Sequence, residues 1–435
     1  MTNVSGSAWR ILRSRDFGPY FVGNAASASG TWFQNLAAAI LVYRLTHSAL
    51  YLGILNACQF GPVLLLSPWT GRVADGFDRR RLLLFTQSTA ACLSAALATL
   101  IAAGHADTWT VIGFSAALGV MTAFSNPAQM ALVGSLVPRA DLAQAVALNS
   151  MTFNIARAVG PAAASLVIAA FGVAPAIAVN SCSYLLLVGG LLVVHPTPVK
   201  RTRRSSIRES VAIVRRQPQL LGLLAIVAAV SIAGDPVNAQ SPAIVHAFGL
   251  TPVWAGTIVG CFGAGAVAAA ILVSGRIAGS RRRIGGTLAL FGGSIMLMAA
   301  SPWFALALVF LFFAGFGSLS SNAGATARIQ LSVRESERGR IMALWSVAWM
   351  GIRPVTSLID GALAEFAGIR VAAPVMALPA LAGGLYLFFH SSQAARLAEA
   401  GVAPAMDDGV GGTPRTPTPS PTEPQPTPAG RAGTR

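Results

Sequence analysis

Apolar runs of about 20 residues or more follow one another from Phe17 to His390, separated by short clusters of arginine. A helix of that length crosses a hydrocarbon core roughly 30 Å thick. Of the 435 residues, 54% are hydrophobic and 11% charged, too little polar surface to coat a soluble globule of this size. The expected fold class is therefore an all-α membrane protein.

Twelve transmembrane helices are predicted, over 17–42, 50–71, 82–103, 109–136, 142–170, 174–195, 219–246, 252–275, 284–301, 303–332, 340–367 and 370–391. Basic residues crowd one set of alternate loops, at Arg10 to Arg15, Arg72 to Arg81, Arg139, Lys200 to Arg216, Arg276 to Arg283 and Arg334 to Arg340. The other set holds only Arg44 and Arg370, so both termini are expected on the cytoplasmic side of a bacterial inner (cytoplasmic) membrane. The expected organisation is a cytoplasmic segment 1–16, a six-helix bundle 17–195, a cytoplasmic linker 196–218, a second bundle 219–392 and a disordered Pro-rich tail 393–435. The charged first fifteen residues and the many runs after them read as an uncleaved first helix.

The net charge of +16 is spread over these loops, a topological pattern and not a nucleic-acid face. Lys200, the one lysine, lies between Val199 and Arg201, which excludes a Gly-Lys-Ser/Thr phosphate loop and with it that kind of ATP-driven pump. Cys58, Cys92, Cys182 and Cys261 lie far apart inside apolar runs and read as small hydrophobes. The five histidines sit near run ends and form no triad or zinc set, so neither an enzyme nor a cofactor is expected.

The two halves repeat. At an offset of 196 residues Phe114 matches Phe310, Gly119 matches Gly315, Ser125-Asn126 matches Ser321-Asn322, Ser150 matches Ser346 and Arg157 matches Arg353. A shared arginine inside a span is harder to obtain by chance than a shared alanine or leucine. Two parallel six-helix halves are the architecture of a large class of secondary carriers, with the substrate site between them near mid-membrane.

Polar residues fall where such a cavity needs them. Asn24, Ser27, Thr31 and Gln34 share one stripe of the first span, and Ser150, Asn154 and Arg157 repeat the spacing in the fifth. The seventh span carries Ser231, Asp235 and Asn238; the eleventh carries Ser346, Arg353, Thr356 and Asp360. An ionisable residue at mid-membrane costs about 2.5–3.5 kcal/mol or more, which makes Asp235, Arg157, Arg353 and Asp360 functional candidates. Only the carboxylates among them readily exchange a proton. Asp235 reads either as the coupling carboxylate, with Arg157 or Arg353 as its charge partner or as an anion contact for substrate, or as one side of a structural ion pair. Asp235-Pro236 is expected to break the seventh helix. Trp32, Trp345 and Trp349 read as core packing or as aromatic walls for an apolar substrate.

The segment Gly71-Arg72-Val73-Ala74-Asp75-Gly76-Phe77-Asp78-Arg79-Arg80-Arg81 resembles the loop signature of the major facilitator superfamily, with Gly76 where a basic residue is usual and Asp78 where glycine is usual. The resemblance implies the twelve-helix major facilitator fold, with Gly71, Asp75, Arg79 and Arg80 as a latch on the cytoplasmic gate. Gly160-Pro161, followed by Ala162, Ala163, Ala164 and Ser165, resembles the antiporter motif of that superfamily. Ser125-Asn126-Pro127-Ala128 and Leu148-Asn149-Ser150 resemble the branch holding the enterobactin exporter and the macrolide efflux proteins. What this implies is proton-linked export of a drug, antibiotic, siderophore or similar metabolite, with small-molecule substrate, protons and lipid as the partners of a monomer. An uptake symporter and a transport-inactive sensor or scaffold are the alternatives.

Overall fold

The computed structural model describes residues 9–138, 141–195, 214–273, 280–333 and 335–399, and no strand occurs among them. In the first half the helices run Phe17–Thr46, Ala49–Gly76, Arg79–Ala102, Thr108–Leu136, Leu142–Phe171 and Val173–Val193. In the second half they run Pro218–Ala239 with Ser241–His246, then Ala255–Val273, Arg281–Ala300 and Phe304–Ser332. Glu335–Ser346 and Arg353–Ala367 form the eleventh span, joined by the turn Val347–Gly351, and Ile369–Glu399 forms the twelfth. These are the twelve spans, numbered below in chain order. The linker between 196 and 213 and the tail from 400 onward lie outside the described residues.

Among the described residues, ten helices are long and apolar enough to cross a membrane by length and composition alone. The first is not among them and carries the polar stripe of Asn24, Ser27, Thr31 and Gln34; of the fifth, the shorter stretch Ile155–Phe171 is apolar among the described residues. A polar stripe is tolerated in a span only where it meets protein or water. The third and fourth spans start sharply. Asp78 accepts a hydrogen bond from the Arg81 amide at 2.8 Å, and Asp107 accepts one from the Thr110 amide at 2.8 Å, so each caps an orphan first-turn donor.

Three boundaries differ from the sequence reading. The second helix continues through Gly76, and the twelfth continues to Glu399, beyond the expected start of the tail. The seventh helix runs straight through Asp235-Pro236 and ends at Ala239; the break falls at Gln240, before Ser241-Pro242. Pro236 removes one backbone donor, yet Gln240 N still reaches the Pro236 carbonyl at 3.0 Å and the helix survives. In the eleventh span the turn Val347–Gly351 is π-helical, just ahead of Arg353. Such single-turn widenings re-aim the side chains that follow.

The halves meet along two seams, second span against eleventh and fifth against eighth, toward the end where the loops are poor in arginine. At Gly53 an added Cβ would strike the Ser357 carbonyl oxygen, and at Gly361 one would stand 3.0 Å from the Ala49 carbonyl oxygen. At Gly256 it would strike the Pro161 carbonyl and the Ser165 hydroxyl; the Gly256 amide instead donates to Ser165 Oγ at 2.9 Å. Small residues let the backbones of the halves touch where lipid supplies no hydrophobic drive.

Candidate functional site

Between the seams lies a narrow crevice lined by Trp32, Asn35, Asn56, Gln59, Asn238 and Arg353, with Phe60 and Pro161 beside them. Its volume is about 30 Å³, room for one or two waters and not for an organic cargo. Gln59 donates to Asn35 Oδ1 at 2.6 Å across the first and second spans. The Arg353 guanidinium, 7% exposed, stands 5.1 Å from the Phe60 ring centroid, so a cation of one half lies over an aromatic face of the other. Arg157 sits between Trp32, 5.9 Å away, and Phe262, 5.7 Å away, and the charge of Arg353 acts on it.

Behind Arg353 two carboxylates are buried together. Asp235 is 2% exposed and Asp360 is 0% exposed, and the charge of Asp235 acts on Asp360. Arg353 faces Asp235 and the Ser357 side chain stands next to it. Among the described residues no carboxylate comes within 4.0 Å of the Arg353 guanidinium, so attraction acts across a gap and no contact ion pair forms. Both oxygens of Asp360, Oδ2 of Asp235, Oδ1 of Asn238 and Nε of Arg353 are shielded from solvent without a hydrogen-bond partner. An ionised carboxylate without a donor is costly in a low-dielectric interior. Asp235 and Asp360 against Arg353 alone carry one excess negative charge, which one proton, one cation or the more distant Arg157 offsets.

The predicted cavity residues divide. Asn238 lines the crevice. Gln34 points instead into the interior of the first half, accepting from Ser94 Oγ at 2.7 Å and Asn180 Nδ2 at 2.6 Å. Thr31 meets the Tyr184 hydroxyl at 3.3 Å in the same interior, Ser27 is buried, and Asn24 donates to Asn149 at 2.6 Å. The side-chain surroundings of Asn154 lie outside the described residues. The face of the first span toward the other half is Trp32, Asn35, Leu36 and Ala39, one residue on from the stripe chosen in the sequence. Trp345 and Trp349 stack at 6.0 Å, and Trp345 Nε1 donates to Thr326 at 2.9 Å.

Gly160 permits close approach of the first span, since a Cβ there would stand 2.9 Å from Trp32 Cβ, while Pro161 and Ser165 meet Gly256 of the other half. In the loop motif, Arg79 donates to the Ala131 carbonyl at 3.3 Å and Arg80 to the Leu191 and Leu192 carbonyls at 2.6 Å each. Both tie the third span to its own half. Gly71 and Asp75 fall in the second helix, and their side-chain surroundings lie outside the described residues.

Glu365 is a residue that composition and periodicity left unmarked. From the eleventh span it accepts from Ser48 Oγ at 2.8 Å and from the Leu50 amide at 3.2 Å, capping the second span across the seam. Gln240 Nε2 donates to the Ala49 carbonyl at 3.1 Å beside it, and Tyr43 packs on His246 at 5.6 Å. A carboxylate four residues after a glycine-packed turn near a span end was the one signal available. Replacing Glu365 with alanine is expected to lower the population of this closed end about fivefold, on the order of one charge-assisted hydrogen bond. Spin-label distances between the ends of the second and eleventh spans report it; an unchanged distribution denies Glu365 that role.

Two six-helix halves, sealed at one end over a buried charged centre, define a membrane carrier. The chain belongs to the transmembrane secretion effector family of the major facilitator superfamily, whose model matches residues 6–404. It is 26% identical to the enterobactin exporter EntS of Escherichia coli over 347 residues, 76% of this chain and 80% of that one. It is 33% identical to the staphyloferrin A transporter of Staphylococcus aureus over 167 residues, 38% of this chain and 42% of that protein's length. The match to the MFS-type transporter YfiS of Bacillus subtilis is 27% and spans 65% of that protein. A bacterial homologue of the human lysosomal transporter Spinster, solved inward-facing and occupied, is similar with a TM-score of 0.68 at 12% identity, over 87% of this chain and 96% of its own. A D-xylose–proton symporter is similar with a TM-score of 0.66 at 13% identity, over 85% and 97%. At such identities the likeness speaks to the fold alone.

Proposed function

We propose that the chain exports an anionic small organic molecule, a siderophore, antibiotic or related metabolite, across the bacterial cytoplasmic membrane by proton antiport. The observation that carries this reading is the buried pair Asp235 and Asp360 beside Arg353, at the boundary of the two halves, with carboxylate oxygens that have no partner. A carrier couples two fluxes when one site's charge changes the occupancy of the other. A proton on the carboxylate pair leaves Arg353 and Arg157 free to hold an anion; loss of that proton turns Arg353 back toward Asp235. The names of two relatives, an enterobactin exporter and a staphyloferrin A transporter, support a siderophore-like cargo.

In this reading the arginine-rich end is cytoplasmic, the sealed seam is the outer gate, and the state is inward-facing. Cargo enters from the cytoplasm and the halves rock to open the seam. Everted vesicles loaded with the chain test it: an imposed pH gradient should drive accumulation of a labelled catecholate or carboxylate siderophore inside. Accumulation only in right-side-out vesicles makes the chain an uptake symporter. Absence of both movement and binding, across a panel of siderophores and antibiotics, leaves the sensor or scaffold reading.

A further inference from the structure

A second cavity is much larger than the crevice. It lies within the second half at its arginine-rich end, has a volume of about 590 Å³, and is lined by residues of the seventh, ninth, tenth and twelfth spans. Arg216 and Arg281 stand at its rim, the partly buried Arg328 reaches it from the tenth span, and Gln217, Gln219 and Ser332 add polar groups. No carboxylate is among its lining residues. Two long helices also begin there, Pro218–Ala239 and Arg281–Ala300, and neither Gln217 nor Ser280 caps its helix with a side-chain hydrogen bond. Orphan first-turn amides and two helix dipoles therefore add to three guanidiniums, one just ahead of the seventh span and one each from the ninth and tenth.

The internal repeat supplies a control. At the offset of 196 residues Arg328 corresponds to Leu132, Ser332 to Leu136 and Leu387 to Leu191. In the first half those positions belong to a dry cluster in which Leu132 and Leu191 are 0% exposed, packed with Ile11, Phe17, Tyr20 and Leu83. The fold closes this space with aliphatic side chains in one half and opens it around arginine and serine in the other. The architecture does not require this cavity, and its basic lining suits an anion.

We infer that this cavity binds a phosphate-bearing anion, either the headgroup of an anionic lipid or a free phosphate compound. Forked guanidiniums and helix N-termini match the several oxygens of a phosphate, and basic pockets between spans at a membrane surface suit phospholipid headgroups. The volume is that of an ordinary small-ligand site.

The test uses the full chain in phosphatidylcholine nanodiscs, with and without phosphatidylglycerol, and with inorganic phosphate as a second probe. Phosphatidylglycerol retained on the protein in native mass spectrometry, together with a raised Tm, assigns the site to lipid; phosphate alone raising Tm in phosphatidylcholine discs assigns it to a free anion. In either case the double variant Arg216→Gln with Arg281→Gln should weaken the response about thirtyfold. Arg328→Leu with Ser332→Leu, which restores the residues of the first half, should abolish it in folded protein. Arg13→Gln with Arg15→Gln removes the same charge from the other half and should leave it intact. A chain that responds to neither probe, or whose Arg216, Arg281 and Arg328 variants respond like the native chain, overturns the site.

Discussion

Replacing Asp235 with asparagine is expected to bring pH-gradient-driven transport down to background, a loss of at least about a hundredfold, in protein that still folds and inserts. The amide keeps the size and the buried position beside Ser357 but cannot take up or release a proton. Asp360→Asn should also uncouple transport, with an opposite effect on the resting protein. Both Asp360 oxygens lack a donor, so exchanging a costly carboxylate for a neutral amide should raise Tm. Proton flux and cargo flux measured together in proteoliposomes decide the matter. If Asp235→Asn still accumulates cargo against a pH gradient, the coupling group lies elsewhere.

Leucine at Gly53 is the second large effect. The Cβ alone would strike the Ser357 carbonyl, and the second and eleventh spans have no flexible side chain there that can swing aside. Overpacking a tight contact costs about 1–3 kcal/mol, enough to depopulate the sealed state by about one to two orders of magnitude. Alternating access needs both states, so turnover should fall in proportion while insertion is unaffected. Spin-label distances between the ends of the second and eleventh spans, with Ser48 and Glu365 left in place, measure closure directly. Gly256→Leu should act in the same way at the other seam, where Pro161 and Ser165 crowd it. Full closure and full transport in Gly53→Leu would mean that the halves do not seal at this contact.

The sealed end also explains why the centre is so small. The seams at Gly53 and Gly256 lie on either side of the crevice, and aromatic and amide side chains fill what remains between them. A cargo of siderophore size needs the halves to part, so its affinity includes the cost of rearranging Gln59, Asn35 and Phe60. Under the proposed function, Arg353 over Phe60 is the contact an arriving anion would break most directly, because it joins a cation of one half to a ring of the other.

Much of this was written in the order of residues. Lipid forces every backbone donor to find its acceptor within a helix, so the apolar runs together with the arginine clusters between them marked the twelve spans, and the repeated Arg157 and Arg353 marked two related halves. Asp235, Asp360 and Arg353 were visible for the same reason: a charge in a span stands out against its apolar neighbours. What chain order left open was rotation about each helix axis. Gln34 and Asn35 are equally polar and adjacent, yet one bonds inside its own half and the other lines the crevice. That choice is made by contacts between spans, Gln34 with Ser94 and Asn180 and Asn35 with Gln59, as the aim of Arg353 is set by the π turn just ahead of it. Composition and spacing fixed which groups are too costly to face lipid. Only the packing of small residues across the two halves decided which of those groups meet, because a rotation of a helix by one residue changes its neighbours and leaves its hydropathy untouched.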